Sequence, residues 1–172
     1  INKMKMNLGT FERFEKQIIL KRVGLAGQKK IFRSSVLIVG VGGLGCPLLY
    51  YLSASGVGRI GIVDFDKVEI SNLNRQSLFN FKDIGKLKVT QAKKVINAIN
   101  KKIKIITFNK KLNKKNIKKI FRSFEIICDG TDNYETRFLI NDYCKKNKKI
   151  LITSAISKFD GQLMKFNFKR KG

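Results

Sequence analysis

The segment SVLIVG, residues 35–40, constrains the fold most, because it is a run of apolar residues rich in β-branched side chains with no polar face. A strand that is apolar on both faces is typical of a parallel sheet covered by helices on each side. Similar apolar strands recur along the chain and alternate with segments of helical periodicity: RIGIVD, KIKIITF, EIICD and ILITS. The alternation predicts an α/β fold with a doubly wound, Rossmann-like, mostly parallel sheet and helices on both faces.

Helices are predicted before and between these strands. Residues 10–33 predict two N-terminal helices, TFERFEKQIIL with Thr10 as a candidate N-cap, and GLAGQKKIFRS after a glycine break. Further helices are predicted at CPLLYYLSASG (closed by Gly56), at about 86–100, at about 114–121 and at NYETRFLINDYCKKN. The segment GQLMKFNF alternates and predicts an antiparallel strand. Because we find no repeat and no low-complexity linker, residues 1–172 are expected to form one domain.

A net charge of +25 is unusual for an α/β protein and raises the possibility of nucleic-acid binding. The segment 86–120 holds many lysines and no acid, yet it keeps clear helical and strand periodicity. It lacks interleaved exposed aromatic residues that stack on bases, and it lacks arginine, the better base reader. We therefore interpret it as a solvated basic face that steers an acidic partner protein, and nucleic acid is the less favoured partner.

The location is expected to be the cytoplasm. No apolar run is long enough to cross a bilayer, the opening INKMKMNLGTF lacks the apolar core of a secretory signal, and the three cysteines are too widely spaced for a disulfide framework. We interpret Cys46, Cys128 and Cys144 as small apolar packing residues. Cys128, near the predicted ligand edge, is the one worth testing for reactivity.

The segment GVGGLG, residues 40–45, lies between a predicted strand and a predicted helix. It contains a G-x-G-x-x-G pattern as Gly40, Gly42 and Gly45. Glycines let the chain turn tightly and approach a phosphate, which backbone N–H groups at the helix N-terminus can then bind. The pattern predicts nucleotide binding, and the alternative is a tight strand-to-helix turn with no ligand.

Polar residues that follow the second strand decide which nucleotide chemistry is favoured. Asp64 ends that strand, where an acid can accept hydrogen bonds from ribose hydroxyls, as in an NAD enzyme. Asp66 either points the same way or is a solvated loop acid. Arg75, Gln76 and Lys88 then supply donors that suit a triphosphate better than a hydride-transfer site. Taken singly, Arg75 and Lys88 also fit ordinary surface positions.

The segment CDGTDN, residues 128–133, ends another strand at the same predicted edge of the sheet. Asp132 is placed to hold Mg²⁺ against phosphates, because hard oxygen ligands suit that ion. Asp129 and Asn133 alternatively serve the turn and the N-cap of the next helix. We favour Asp132 over Asp129 as the metal ligand.

Together the segments RFEKQI, LIVGVGGLGCP, DFDKVEISNLNRQ, DIGKLK, CDGTDNYETR and FDGQL, in this order, resemble the ThiF/MoeB/HesA family of adenylating enzymes, which are related to ubiquitin-activating enzymes. The resemblance covers nearly the whole chain. It implies an adenylyltransferase that uses ATP to adenylate the C-terminal glycine of a small ubiquitin-like sulfur-carrier protein ending in Gly-Gly. Pyrophosphate is released, and the acyl adenylate then serves thiamine or molybdopterin sulfur chemistry.

The resemblance also implies roles for individual residues. The nucleotide turn would be framed by Gly40, Gly42, Gly43 and Gly45, and the ribose would be bound by Asp64. The phosphates would be contacted by Asn72, Arg75, Gln76 and Lys88, and Mg²⁺ would be assisted by Asp132. No general base is needed, since a carboxylate is ionised at neutral pH.

Two features depart from the family pattern. The family's first helix usually carries an Arg-Gln pair whose Arg reaches the nucleotide of the neighbouring subunit in a homodimer, whereas here the pair is Lys16-Gln17, with Arg13 one turn earlier. Lys16 keeps the charge but loses the bidentate fork, which predicts a weaker phosphate contact. The family also commonly continues into a region with two CxxC pairs that bind zinc. Because these residues contain no histidine and no CxxC, we expect that region to be lacking and predict no zinc site here.

The sequence is also compatible with two other function classes. One is a catalytically weak nucleotide-binding or carrier-binding module, if the groove that receives the carrier tail is missing. The other is an NAD(P) oxidoreductase, against which the absence of histidine and of any obvious proton donor counts.

Overall fold

The computed structural model describes residues 7–169, so the opening INKMKM and residues 170–172 of the predicted domain lie outside the described part. The helices are α1 (Leu8–Ile18), α2 (Gly24–Arg33), α3 (Gly45–Ala54), α4 (Lys88–Ile99), α5 (Ile117–Phe121) and α6 (Tyr134–Lys146). The strands are β1 (Ser35–Val39), β2 (Arg59–Val63), β3 (Lys104–Phe108), β4 (Ile126–Asp129), β5 (Ile150–Ser157) and β6 (Asp160–Asn167). Within residues 7–169 we find no helix with the length and apolar character that a membrane span requires.

The six strands form one sheet in the order β3-β2-β1-β4-β5-β6. The first five strands in this order are parallel, and β6 pairs with β5 in the antiparallel direction. The predicted doubly wound, mostly parallel α/β fold is therefore confirmed. Because β1 has β2 on one side and β4 on the other, the loops that follow these three strands meet at the carboxyl edge of the sheet, at its topological switch point.

Strand β1 is buried on both faces, as its apolar sequence predicts. Ile38 contributes to the core that includes Ile96 of α4, whereas Leu37 contributes to the opposite core, which includes Phe121 of α5. Each of these four side chains is fully buried, and burial of one such side chain contributes about 1.5–3 kcal/mol. The two cores hold the central strand rigid, so the loop after it starts from a fixed position.

The ends of two helices show where local side chains decided the boundary. Asn7, not Thr10, is the N-cap of α1: its Oδ1 accepts a hydrogen bond from the backbone N of Thr10 at 3.0 Å, so Thr10 lies inside the first turn. The prediction of Thr10 as the cap is therefore wrong. The alternative role suggested for Asn133 is confirmed, because its Oδ1 accepts from the backbone N of Thr136 at 2.9 Å and caps α6.

Helices α1 and α2 pack together beside the amino-terminal edge of the sheet. The rings of Phe14 and Phe32 meet edge to face, with centroids 5.0 Å apart. Gly56 follows α3 with φ of +93°, and a Cβ at this position would lie 2.7 Å from the Phe32 ring and 2.9 Å from the Phe14 ring. The aromatic pair therefore packs directly on the chain that leads into β2, opposite the loops at the carboxyl edge.

Candidate functional site

The glycines of residues 40–45 differ in why glycine is needed. Gly40 has φ of +89°, and a Cβ on Gly45 would lie 1.9 Å from the Gly40 carbonyl oxygen, so both positions need glycine for the turn itself. A Cβ on Gly42 would meet no described atom within 4 Å. The packing of the turn thus explains Gly40 and Gly45, whereas the backbone around Gly42 is open to the approach of a ligand.

Asp64 ties the end of β2 to this glycine turn. Its Oδ2 accepts a hydrogen bond from the backbone N of Val41 at 2.7 Å, and its Oδ1 accepts from the backbone N of Asp66 at 2.8 Å. Burial raises the pKa of the Asp64 carboxyl above its usual 3.8, while the two backbone donors and the charge of Lys88 act in the opposite direction. Each carboxylate oxygen can accept a second hydrogen bond, so the group can still bind a ribose hydroxyl.

Lys88 is a buried cation and not a surface lysine. It is the first residue of α4 and is only 6% exposed. Its Nζ lies 3.0 Å from Oδ2 of Asp66, and its backbone N donates to the Asp66 carbonyl oxygen at 3.0 Å. A positive charge at a helix N-terminus opposes the helix dipole, so this ammonium needs an anionic partner. Asp66 supplies one here, and a phosphate group would meet the same need.

Arg75 packs against the glycine turn. A Cβ on Gly43 would lie 3.5 Å from both Cγ and Cδ of Arg75, which is ordinary contact distance. One terminal nitrogen of the guanidinium donates to the Ser71 carbonyl oxygen at 2.8 Å and to Oδ1 of Asn74 at 3.1 Å. The side chain is exposed, and within residues 7–169 it forms no ion pair with a carboxylate. Its remaining N–H donors are available to an anion at the turn.

Asn72 and Gln76 are both buried and shape the loop that carries Arg75. Oδ1 of Asn72 accepts from the backbone N of Glu69 at 3.1 Å, and the Asn72 carbonyl oxygen accepts from the backbone N of Gln76 at 2.9 Å. Gln76 is 3% exposed, and its Oε1 has no hydrogen-bond partner in the described structure. Asn72 is thus occupied in holding the loop, whereas the Gln76 amide has an acceptor to spare, which is rare for a buried polar group.

A second loop closes the other side of the glycine turn. Gly130 follows β4, and a Cβ on Gly40 would lie 3.0 Å from the Gly130 carbonyl oxygen. Asp129 holds this loop: its Oδ1 accepts from the backbone N of Thr131 at 3.0 Å and from its hydroxyl at 2.7 Å, and its Oδ2 accepts from the Thr153 hydroxyl at 2.8 Å. The alternative role for Asp129, in the turn, is therefore confirmed.

Two residues that hold the loop after β4 were not predicted from the sequence. Thr153 on β5 binds Asp129, and Arg137 on α6 donates to the carbonyl oxygens of Thr131 and of Ser154, the latter at 2.7 Å. Arg137 lies one helical turn after the N-cap Asn133, a spacing that points back to the loop and offered a signal. Thr153 had no comparable signal, because its contact depends on the pairing of β4 with β5.

Asp132 is exposed, and no hydrogen bond of its carboxylate is found within residues 7–169. The described residues contain no group of three or more His, Cys, Asp or Glu side chains that could enclose a metal ion. Mg²⁺ is commonly bound by only one or two carboxylates together with substrate phosphates and water. Asp132 therefore fits a shared magnesium site whose other ligands come from a nucleotide, and does not fit a closed protein cage.

The structure does not bring Lys16 to the glycine turn. Its side chain is 87% exposed on α1 and pairs with Glu15 at 3.5 Å. Helix α1 packs at the amino-terminal edge, as the contact between Phe14 and Phe32 shows. A role for Lys16 at the nucleotide of a neighbouring subunit stays a prediction.

All three cysteine thiols are buried, which confirms their interpretation as packing residues. Burial raises the pKa of the Cys46 thiol to about 11 and the pKa values of the Cys128 and Cys144 thiols to about 12. Since the thiolate is the reactive form, none of them is suited to nucleophilic chemistry at neutral pH. Cys128 lies in the core although its strand ends at the site.

The site is therefore a glycine turn at the switch point of a Rossmann-type sheet, with Asp64 bonded to the turn, Arg75 packed on it and the Lys88–Asp66 pair beside Asp64. This arrangement defines the class of nucleotide-binding α/β proteins. Residues 14–172 match the ThiF family, and the chain belongs to that family.

Known relatives share most of this chain. It is 46% identical over 163 residues to a probable molybdopterin-synthase adenylyltransferase from Porphyra purpurea, covering 95% of this chain and 43% of that protein. It is 40% identical over 164 residues to a sulfur carrier protein adenylyltransferase from Thermus thermophilus, covering 95% of this chain and 60% of that protein. The crystal structure of E. coli MccB with ATP is similar with a TM-score of 0.77 and 25% identity, covering 85% of this chain and 46% of that chain. The chain thus spans about two fifths to three fifths of the length of these curated relatives.

Proposed function

We propose that the protein is an adenylyltransferase that uses ATP to adenylate the C-terminal glycine of a small ubiquitin-like sulfur-carrier protein, with release of pyrophosphate. The observation that carries this proposal is the position of two cations, Arg75 on the open glycine turn and buried Lys88 beside the ribose-binding candidate Asp64. The names of the related adenylyltransferases, one of molybdopterin synthase and one of a sulfur carrier protein, support the same reaction.

ATP fits the residues that are present. The open backbone at Gly42 allows phosphates to approach, and Asp64 has lone pairs left for a ribose hydroxyl. The spare acceptor of Gln76 and the free donors of Arg75 suit the polar part of a nucleotide. Similarity to MccB, whose structure was determined with ATP, supports this choice of nucleotide. An NAD(P) enzyme would have little use for cations at these positions.

The proposed chemistry needs positioning and charge more than proton transfer. A carrier carboxylate oxygen attacks the α-phosphorus of ATP. The new oxygen–phosphorus bond gives an acyl adenylate, a mixed anhydride, and the bond from the α-phosphorus to the oxygen that bridges the α- and β-phosphates breaks. The electron pair leaves with pyrophosphate, whose charge Arg75 and Lys88 stabilise. The carboxylate is already ionised at neutral pH, so no side chain has to remove a proton.

Asp132 would hold a magnesium ion beside the phosphates, because its carboxylate is exposed and unengaged in the described structure. When bound, the ion would neutralise charge on the pyrophosphate leaving group. Asn72 would act indirectly, since its side chain holds the loop from which Arg75 projects.

The remaining parts of the proposal concern the assembly. The partner is a sulfur carrier ending in Gly-Gly, drawn to a protein of net charge +25, and the pathway is thiamine or molybdopterin sulfur chemistry in the cytoplasm. Residues 1–172 would form a single ATP-binding adenylation domain, and the active unit would be a homodimer in which Lys16 reaches the neighbouring nucleotide. The Porphyra and Thermus relatives are longer than this chain, so the carrier groove is the part of the proposal that most needs a test.

The deciding experiment is carrier-dependent exchange between ATP and labelled pyrophosphate. We expect exchange with a carrier that ends in Gly-Gly and none with the same carrier shortened by these two glycines. Arg75→Ala should lower exchange about a hundredfold, since one preorganised charge contact to the reacting phosphates is lost. The exposed Arg33 at the end of α2 provides the matched control, and Arg33→Ala should exchange normally.

Other outcomes would redirect the proposal. ATP binding without exchange, for every carrier, would make the protein a nucleotide-binding module and not an enzyme. If Arg75→Ala binds nucleotide and reacts like the unaltered protein, the proposed triphosphate site is wrong. The result would then favour the alternative of an NAD(P) oxidoreductase.

A further inference from the structure

A cavity of about 610 Å³ opens at the amino-terminal edge of the sheet, on the side opposite the glycine turn. Helices α1 and α2 form two of its walls, and the loop between α4 and β3 forms a third. Its volume falls in the range of about 300–1,000 Å³ that is typical of small-molecule sites. None of the residues to which a nucleotide role was given lines it.

The floor of this cavity is apolar and firmly packed. It contains the edge-to-face pair Phe14 and Phe32, with ring centroids 5.0 Å apart, and the buried side chains of Val57 and Ile103. The absent side chain of Gly56 lets both rings lie against the backbone. A flat apolar group could therefore pack on a surface that already has a fixed shape.

Its rim is cationic. Four basic residues line it, namely Arg13, Lys29, Lys101 and Lys102, and no acidic residue appears among the described lining residues. Nζ of Lys102 donates to the Thr10 hydroxyl at 2.8 Å, and one terminal nitrogen of Arg13 donates to the Ile99 carbonyl oxygen at 2.7 Å. Both partners are neutral, and within residues 7–169 none of these four cations forms an ion pair. The positive charge at the rim is thus positioned but not neutralised.

The loop that carries two of these cations is itself held in place. Asn100 is buried, and its Nδ2 donates to the Ser53 carbonyl oxygen at 3.2 Å. Its Oδ1 accepts from the backbone N of Lys102 at 3.1 Å. A ligand would pay little conformational entropy for ordering this wall, because the wall is ordered before the ligand arrives.

We propose that this cavity binds a small organic anion in which a flat apolar ring carries a phosphate group. The ring would pack on Phe14 and Phe32, and the phosphate would lie at the rim between Arg13 and Lys102. A phosphate dianion suits several clustered cations better than a single carboxylate does, and arginine binds it through two parallel donors. The site is separate from the glycine turn, so it does not depend on the proposed adenylation.

The probe for this proposal is 1-naphthyl phosphate, compared with inorganic phosphate and with 1-naphthol in calorimetric titrations of the purified protein. We expect one molecule of 1-naphthyl phosphate per chain, bound at least tenfold more tightly than either of its two parts. The variant Arg13→Gln with Lys102→Gln should weaken this binding at least tenfold. Lys93→Gln with Lys94→Gln removes the same charge from exposed α4 positions outside the cavity and should leave the affinity unchanged.

A second variant separates loss of the site from loss of the fold. Ala98 is exposed and lines the cavity, so Ala98→Trp would fill the space without entering either core. It should abolish binding while the protein keeps its thermal unfolding midpoint. The proposal is overturned if inorganic phosphate binds as tightly as the probe, if the probe does not bind, or if binding survives both the double substitution and Ala98→Trp.

Discussion

The side-chain nitrogen of Lys88 lies 3.0 Å from Oδ2 of Asp66, so the cation that begins α4 has a carboxylate partner in the loop after β2. Lys88 is buried whereas the Asp66 side chain is 49% exposed. Asp66 can therefore return to water when a more strongly charged phosphate competes for the ammonium. We interpret this ion pair as the resting state of a phosphate-binding lysine.

This relationship predicts unequal effects of the two partners. Lys88→Met keeps the side-chain volume but removes the charge, and we expect pyrophosphate exchange to fall about a hundredfold or more. Asp66→Asn leaves Lys88 in place and should lower exchange by less than about tenfold, since only a stabilising partner is lost. Exchange assays with both variants test this.

The exposed Lys93 on the same helix gives the control, because Lys93→Met removes an equal charge away from the site. Equal losses in Lys88→Met and Asp66→Asn would contradict the interpretation and would assign the pair a structural task instead.

Asp64→Asn should separate nucleotide binding from stability. The amide keeps one oxygen to accept from the Val41 backbone N, but it loses the carboxylate that a ribose hydroxyl would use, so ATP should bind about tenfold more weakly. Burial raises the pKa of Asp64 above 3.8, which means that the folded state holds this proton more tightly than the unfolded state. The stability linked to that proton is present below pH 3.8 and is lost as the pH rises through the raised pKa.

The free energy of unfolding of Asp64→Asn, relative to the unaltered protein, should consequently improve as the pH rises through that window. Urea unfolding of both proteins across the acidic range measures this difference, and calorimetry measures ATP affinity. A difference that is constant with pH would show that Asp64 has an ordinary pKa.

Asp132→Asn should change the magnesium requirement and not the fold. Its side chain is exposed and supports no described hydrogen bond, so the free energy of unfolding should move by less than about 0.5 kcal/mol. The magnesium concentration that gives half-maximal exchange should rise about tenfold, because an amide oxygen is a weaker ligand than a carboxylate.

Asp142 on α6 is an exposed acid of the same type, and Asp142→Asn should show the normal magnesium dependence. An unchanged magnesium titration in Asp132→Asn would leave the ion without a protein ligand at this position.

The three thiols should be inert in the folded protein. With pKa values of about 11 for Cys46 and about 12 for Cys128 and Cys144, very little thiolate is present at pH 8, and access is also blocked by burial. A disulfide reagent such as DTNB should therefore react about a thousandfold more slowly with the native protein than with the denatured chain. Rapid labelling of one thiol in the native protein, traced by peptide mapping, would contradict this prediction.

The sequence predicts most of the strands and helices because each element carries its own pattern. Strand β1 is apolar from Val36 to Val39, and the structure buries these four residues on both faces. The start of α1 was misplaced because Asn7 and Thr10 are both acceptable caps, and only the geometry of the first turn shows which side chain accepts.

The site was predictable as a set of residues but not as a set of contacts. Asp66 and Lys88 are far apart in sequence, and their pairing depends on the path of the loop that joins β2 to α4. The bond from Thr153 to Asp129 likewise needs two strands in register, which no local pattern encodes. Tertiary packing therefore decides whether a lysine on a basic helix is a surface charge or a buried one.

The order of the strands also bears on how the chain refolds. Strands β1 and β2 are near neighbours in sequence, whereas β4 reaches β1 only after α4, β3 and α5 have intervened, and contacts across so long a loop form slowly. The loop that begins at Gly130 arrives with β4 and closes against Gly40. The ability to bind a nucleotide should accordingly appear late in refolding, after most of the helical signal has returned, and it can serve as a reporter of the final docking step.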